Sequence, residues 1–145
     1  EVTYPLHVIL RYELERDLIA GTAQVKDIPG RWDEAMHRYL GLNTEGNYRD
    51  GPMQDIHWPA GAIGYFPSYT LGAMNAAQLH AALLKAVPKA PELIAELNLE
   101  PVFSWLSDNI WHQGRSLSYD DLMVQATGET LNSAHFLAHI RSRYL

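Results

Sequence analysis

The stretch LHVILRYELERDLIAG, residues 6–21, predicts the fold of this chain because its leucines recur at every fourth position. That spacing places them on one side of an α-helix, with Ile9 beside them. Gly21 is suited to end the helix, since glycine readily adopts the left-handed conformation found after a helix C-terminus. The charged residues are expected mostly on the other, polar side: Glu13, Glu15, Arg16 and Asp17.

The same helical spacing returns along the rest of the chain. Prolines at first-turn positions, capping residues and terminal glycines predict further helices near 29–40, 68–87, 91–97, 101–113, 119–127 and 133–144. The 68–87 helix is rich in glycine and alanine, so other backbones could approach it closely, and we expect it to be central. The sequence shows no strand pattern or internal repeat that would argue against this helical assignment. The predicted fold class is all-α, a multi-helix array of about six or seven helices forming a single helical unit over residues 1–145.

Composition excludes several kinds of partner and chemistry. The chain has 145 residues, with 17 acidic against 11 basic residues and a formal net charge of -6. This charge disfavours nucleic acid and anionic membranes, and we predict neither as a partner. No apolar run is long enough to cross a bilayer and no signal-peptide pattern is present, so a cytoplasmic protein is predicted. The absence of cysteine excludes disulfides, thiolate metal ligands and cysteine nucleophiles.

Seven histidines raise the question of a metal site. His135 and His139 have the i, i+4 spacing that places two imidazoles on one face of a helix. The residues between them are Phe-Leu-Ala, so the glutamate of an H-E-x-x-H motif is missing. We therefore favour two surface histidines on the last helix over a metal site. Four others are predicted to be half-buried or solvated on helices: His7, His37, His80 and His112.

Polar, aromatic and glycine residues coincide in the stretch GPMQDIHWPAGAIGYFPSYTLGAM, residues 51–74. In an extended segment Asp55 and His57 point to the same side, so that the carboxylate, or a backbone carbonyl, could fix which imidazole nitrogen carries the proton. Gly61 and Gly64 permit tight turns.

Tyr65 and Tyr69 follow at i, i+4, so both phenols could face the same cleft as His57. Three hydrogen-bond donors would then converge. The alternative is that the aromatic residues form only the core of a helix junction, with His57 capping a carbonyl. Spacing alone does not separate these interpretations.

The segment GPMQDIHW, residues 51–58, fits the motif G-x-x-Q-D-x-H-W of the carboxypeptidase Taq family of thermostable zinc metallocarboxypeptidases. The segment GYFPSY, residues 64–69, matches the part of that family that follows the motif. Further matches occur in the same order at EVTYPLH (1–7), LRYE (10–13), TGE (127–129) and LN (131–132). The chain therefore resembles this family over its whole length.

The resemblance also shows what this chain lacks. The family binds zinc through an H-E-x-x-H helix and a later glutamate in an H-E-S-Q-type segment, and contacts substrate through I-R-x-x-A-D; none of these motifs occurs here. The chain thus resembles the C-terminal part, about a third, of a larger helical metallopeptidase. Zinc, or another divalent metal such as cobalt, is expected in the full-length enzyme, and none is expected on this chain alone.

The resemblance implies roles for residues that are present. His57 and Tyr65 are the expected catalytic residues, donating hydrogen bonds to the oxyanion or to a substrate carbonyl, with Tyr69 as the less favoured oxyanion donor. The expected substrate-binding residues are Tyr69, Gln54 and Asp55, the last two acting as supports. Other residues are assigned to packing (Trp58, Phe66) or to helix-surface or interhelical ion pairs (Arg11, Glu13).

Two functions follow as hypotheses. In the first, the chain is part of a zinc-dependent metallocarboxypeptidase of broad specificity. Its expected partners are peptide substrates, the missing N-terminal portion of the same enzyme, and a second copy in a homodimer. In the second, it is a catalytically inactive helical interaction or self-associating module. Tight stoichiometric zinc on this chain alone would contradict the first account and favour a site at His135 and His139.

Overall fold

The computed structural model describes all 145 residues, and its regular elements are helices. In chain order these are α1 (Tyr4–Ile19), a 3₁₀ turn (Val25–Asp27), α2 (Ile28–Leu40), α3 (Pro67–Ala86), α4 (Ala90–Ala95), α5 (Glu100–Asn109), a second 3₁₀ turn (Trp111–Gln113), α6 (Tyr119–Thr127) and α7 (Ser133–Tyr144). The all-α prediction and the expected number of helices are confirmed. None of these helices is both long and apolar enough to cross a membrane.

Local signals explain where the helices begin and end. Gly41 and Gly128 follow α2 and α6 in the left-handed conformation, with φ of 68° and 91°. The Ser118 side chain accepts a hydrogen bond from the Asp121 amide at the start of α6, and the Asn132 side chain accepts one from the Ala134 amide at the start of α7. Each cap satisfies an amide that has no partner within its helix.

The chain divides into two compact units, residues 1–71 and 72–145. In the first unit, α1 and α2 enclose an apolar cluster whose buried members are Leu10, Leu14, Trp32, Ala35 and Met36. Trp58 packs against this cluster from the segment that follows α2. The position of Trp58 agrees with its predicted packing role.

Ion pairs also connect α1 with α2. Arg31 contacts Asp17 at 2.9 Å, and Arg38 contacts Glu13 at the same distance. The interhelical ion pair predicted for Glu13 is confirmed. Both pairs are partly exposed, so each contributes little to the free energy of unfolding.

The predicted polar side of α1 is wrong in one respect. Arg11 and Glu15 are buried, with 6% and 5% of their surface exposed. The cause is a stretch without regular secondary structure, residues 51–66, which we call the cleft loop and which covers this side of α1. Arg11 is consequently neither a helix-surface residue nor part of an interhelical pair, because its carboxylate partner, Asp55, lies in the cleft loop.

In the second unit, the apolar cluster is built on Leu83, Ala90 and Val102. The expectation that α3 is central is wrong for this chain, because only Gln78 and Leu83 are buried among its 20 residues. At Gly72 a Cβ atom would meet nothing within 4 Å.

Gln78 organises the turn between α6 and α7. Its Nε2 donates to Thr127 Oγ1 at 2.7 Å and lies within 3.2 Å of the carbonyl oxygens of Glu129 and Thr130. Its Oε1 accepts from the Asn132 amide at 2.8 Å. With 1% of its surface exposed, Gln78 replaces water as the partner of these backbone groups.

The start of the cleft loop tolerates only glycine at position 51. A Cβ atom there would overlap the carbonyl oxygen of Asn47. We expect Gly51→Ala to lower the free energy of unfolding by about 1 to 3 kcal/mol, since backbone must shift to make room. The measurement is urea unfolding followed by circular dichroism. Gly30→Ala is the matched control, because Gly30 is helical with open space around it, and should be neutral or stabilising. Equal effects of the two substitutions would contradict this prediction.

Candidate functional site

The cleft loop is attached to α1 by buried polar contacts. The carboxylate of Glu15 accepts from Trp58 Nε1 at 2.9 Å and from the Gly64 amide at 2.6 Å. Arg11 Nε donates to Asp55 Oδ2 at 2.7 Å. Three points of the loop are therefore fixed on one helix, which compensates for its lack of regular backbone hydrogen bonds.

A cleft of about 350 Å³ lies between α1, the cleft loop and the start of α3. Nearly half of its lining residues come from α1, which the sequence did not assign to the site. The lining residues are Tyr4, His7, Val8, Arg11, Gln54, Asp55, His57, Phe66 and Tyr69.

The three predicted donors lie close together, and two of them, His57 and Tyr69, line this cleft. His57 Nε2 lies 2.8 Å from the Tyr69 hydroxyl, which is a hydrogen bond. The Tyr65 ring centroid lies 5.7 Å from that of His57 and 5.3 Å from that of Tyr69. Gly61 and Gly64, with φ of 75° and 78°, make the turns that allow this arrangement.

Asp55 lies beside His57 but does not hydrogen-bond to it. Its Oδ1 is 3.9 Å from His57 Nδ1, whereas its Oδ2 is bound by Arg11. His57 Nδ1 is buried and has no hydrogen-bond partner. The predicted side-by-side placement of the two residues therefore holds, and their interaction is electrostatic at this distance.

Two predicted residues stand at the edge of the site. Gln54 lines the cleft, but its amide nitrogen donates to the carbonyl oxygens of Asp50 and Gly51 within its own turn. Tyr65 is 49% exposed and does not line the cleft.

The alternative interpretation, in which the aromatic residues of 51–74 form only the core of a helix junction, describes part of this segment. Phe66 is 2% exposed and packs on His57 with a centroid distance of 4.5 Å. Trp58 meets Phe66 edge to face at 5.8 Å. Tyr65 and Tyr69 remain substantially exposed, and His57 bonds to a phenol rather than capping a carbonyl. Packing and an open polar cleft therefore occur side by side.

Sequence reasoning missed His7, Tyr4 and Arg11 as members of this site. Their positions, together with Val8, share one face of α1, and this i, i+3, i+4 spacing is the signal that was available. Burial and the nearby Arg11 charge lower the pKa of His7, partly opposed by Asp55. Desolvation, and then the neighbouring Tyr65 and Tyr4, raise the pKa of the Tyr69 phenol. Both groups are therefore held neutral at pH 7.

The lowered pKa of His7 predicts a pH dependence of stability. The folded chain disfavours the charged imidazole, so this contribution is present above the ordinary pKa of about 6.5 and is lost as pH falls through the lower folded value. We expect His7→Gln to reduce the loss of unfolding free energy between pH 7 and pH 5, measured by urea unfolding. His80→Gln, which changes an exposed histidine, is the control and should leave that loss unchanged. An unaltered pH dependence in His7→Gln would contradict the prediction.

Potential metal-ligating side chains are dispersed in this chain. No group of three or more His, Cys, Asp or Glu side chains lies close enough to hold an ion. His135 Nε2 is instead paired with Glu129 Oε1 at 2.8 Å. A hydrogen bond from Asn132, and then one from His135, lower the pKa of Glu129, so it is a carboxylate at neutral pH. The pair belongs to the polar contacts around the turn before α7.

The fold has counterparts among solved metallocarboxypeptidases. Metallocarboxypeptidase 1 of Trypanosoma cruzi is 45% identical in sequence, with a TM-score of 0.93 over 97% of this chain and 30% of that one. Pyrococcus furiosus carboxypeptidase gives a TM-score of 0.94 at 36% identity, over 99% of this chain and 29% of that one. Carboxypeptidase 1 of Bacillus subtilis is 36% identical over 144 residues, which are 99% of this chain and 28% of that protein. The class that the fold and site define is the all-helical metallocarboxypeptidases.

The sequence model of the carboxypeptidase Taq (M32) metallopeptidases matches residues 1–144. This chain belongs to that family, as its G-x-x-Q-D-x-H-W segment indicated. Membership implies a divalent metal in the family's chemistry. The chain spans about 28 to 30% of the length of the relatives it matches.

Proposed function

We propose that this chain is the C-terminal part of a zinc-dependent metallocarboxypeptidase and that its cleft binds the reacting end of a peptide. The observation that carries this proposal is the convergence of His57, Tyr65 and Tyr69 beside an open cleft in a segment characteristic of the family. Family membership supports peptides as substrates. Broad specificity for the released residue is part of the proposal.

The proposed chemistry of this chain is hydrogen-bond donation. When water adds to a peptide carbonyl, its oxygen becomes negatively charged, and preorganised donors stabilise that charge. Tyr65 is the proposed catalytic phenol because its hydroxyl, unlike that of Tyr69, is not engaged by His57. His57 is the second proposed catalytic residue. Its Nε2, which is bonded to the Tyr69 hydroxyl, can donate to a substrate oxygen only in a form that is protonated at that nitrogen.

The proposed substrate-binding residues line the cleft itself. Tyr69 and Gln54 are both among its lining residues. Asp55 lies beside His57, with Oδ1 3.9 Å from Nδ1, and is paired with Arg11. The lining carries one guanidinium and one carboxylate already paired with each other, so the cleft suits an uncharged peptide group.

The metal is proposed to be bound by residues outside these 145. The side chains of this chain do not fit a metal ion, so its proposed contribution is confined to hydrogen bonding and substrate binding. Zinc, or another divalent metal such as cobalt, remains the proposed cofactor of the full-length enzyme. A homodimer and a cytoplasmic location are proposed on the sequence resemblance alone.

The test is peptidase activity of the longer protein of which we propose this chain to be part. We expect release of C-terminal residues from unblocked peptides, loss of release with a chelator, and recovery with zinc or cobalt. His57→Gln should lower kcat without changing metal content, because no metal ligand is touched. Absence of carboxypeptidase activity with every divalent metal tried would overturn the proposal.

A second candidate function is a self-associating helical module. One observation favours it: a second cleft of about 350 Å³ is lined mainly by apolar residues, including the exposed Ile19, Val25, Met53 and Ile63. Contiguous exposed apolar surface is typical of association sites. Sedimentation equilibrium of this chain tests it, since a monomer at all concentrations would exclude the module.

A further inference from the structure

His57 is held by unequal environments at its two ring nitrogens. Nε2 bonds to the Tyr69 hydroxyl at 2.8 Å. Nδ1 is buried, without a hydrogen-bond partner, and faces Asp55 Oδ1 at 3.9 Å. A neutral imidazole carries one proton, so one nitrogen donates and the other accepts.

The carboxylate decides between the two possible tautomers. With the proton on Nδ1, a buried N–H lies near a negative oxygen, at an N–O distance of 3.9 Å, and Nε2 accepts from the Tyr69 O–H. With the proton on Nε2, a lone pair would face the Asp55 carboxylate, which is repulsive in a partly buried site. The first arrangement is therefore favoured, which is the reverse of free histidine in water, where Nε2 carries the proton.

Arg11 fixes the carboxylate in this orientation. Its Nε binds Asp55 Oδ2 at 2.7 Å, while Oδ1 lies 3.9 Å from His57 Nδ1. Arg11 is itself held by the His7 carbonyl oxygen at 2.8 Å and lies over the Trp32 ring at 4.7 Å. Asp55 consequently has little freedom to rotate away.

We propose that Arg11 and Asp55 are positioning residues that hold His57 in the Nδ1–H tautomer and thereby make Tyr69 donate to it. The Tyr69 oxygen then presents lone pairs to the cleft, so its preferred partner is a peptide N–H of the substrate. His57 offers an N–H at Nε2 only after taking a second proton. This inference rests on the proposed function for its meaning in catalysis, and its physical content is independent of activity.

Several titratable groups face this imidazole. Asp55 belongs to the cleft loop, Arg11 and His7 to α1, and Tyr65 and Tyr69 to α3 and the residues just before it. Among these groups, it is the Asp55 carboxylate that places an oxygen near Nδ1, at 3.9 Å.

The test is ¹⁵N NMR of the imidazole groups in this chain, because shifts and couplings distinguish the two tautomers. We expect His57 to show the Nδ1–H form when neutral. In Asp55→Asn, we expect the Nδ1–H to Nε2–H ratio to fall about tenfold as the carboxylate charge is removed. Circular dichroism confirms that the variant is folded. The same spectra should show Arg11→Met shifting the ratio in the same direction.

Matched variants test whether Asp55, and no other neighbour, sets the tautomer of His57. Glu129→Gln removes the partner of His135 and should leave the His57 tautomer unchanged. Tyr69→Phe removes the bond at Nε2 and should leave Nδ1–H dominant, because Asp55 remains. A wild-type His57 in the Nε2–H form, or a tautomer that follows Tyr69 and ignores Asp55, would overturn the proposal. Inactivity of the longer protein would instead count against the proposed function and leave these spectra unaffected.

Discussion

Replacing Tyr65 by phenylalanine in the longer protein is expected to lower kcat by about 10²-fold or more, with little change in folding. The substitution removes one hydroxyl from a side chain that is 49% exposed, so packing is retained. The expected loss arises because loss of one oxyanion donor raises the barrier by about 2.7 to 4 kcal/mol. Steady-state kinetics on a peptide substrate, with thermal unfolding alongside, measure both effects.

Tyr48→Phe is the control for this experiment. Tyr48 is also about half exposed, at 53%, and lies away from the cleft lining. Its substitution should leave kcat unchanged. An unaltered rate in Tyr65→Phe would remove Tyr65 from the mechanism, and a large loss confined to Tyr69→Phe would transfer the donor role to Tyr69.

Replacing Asp55 by alanine is expected to lower the free energy of unfolding by about 3 kcal/mol. The Arg11 side chain is 8% exposed and would keep its charge without a carboxylate partner, retaining only its bond to the His7 carbonyl oxygen. Breaking a buried ion pair costs about 3 to 5 kcal/mol, and the lower end applies because the Asp55 side chain is 22% exposed. Urea unfolding of this chain provides the measurement.

Asp17→Ala is the matched control, because its pairs with Arg16 and Arg31 are partly exposed. It should cost below about 1 kcal/mol. The double substitution Arg11→Met with Asp55→Leu should recover part of the loss, since neither charge remains buried. If Asp55→Ala costs no more than Asp17→Ala, the ion pair is not buried in solution.

The helices were predictable because their signals are local. Proline in the first turn, the Ser118 and Asn132 caps, and the left-handed glycines all act within a few residues of the helix end. Leu97, which follows α4, has a positive φ of 59°. This conformation could not be predicted from local signals, because leucine rarely adopts it.

The burial of charged and polar residues was not predictable in the same way. Glu15 looks like a surface residue until its partners are known, and these lie 43 and 49 residues away at Trp58 and Gly64. Gln78 likewise bonds to groups 49 to 54 residues distant. Periodicity describes one helix at a time and carries no information on what will cover it.

For the same reason, the part of the candidate site in the cleft loop and the start of α3 was predictable, and the part on α1 was not. The motif and its following tyrosines lie within a short segment, so the grouping of His57, Tyr65 and Tyr69 could be anticipated. The contribution of α1 could not, because it arises only when the cleft loop folds onto that helix. Once Arg11 binds Asp55, the adjacent His7 and Tyr4 face the cleft as a consequence of helix geometry.

The attachment of the cleft loop to Glu15 and Arg11 has a consequence for affinity. Ordering a free backbone costs about 1 to 2 kcal/mol per residue, and a mobile loop would incur that cost each time a ligand arrived. In this chain the bonds to Arg11 and Glu15 order the cleft loop when the protein folds, so the proposed site is preorganised. Substrate encounter should accordingly proceed with small loop movement, and calorimetry should show little entropic penalty from ordering this segment.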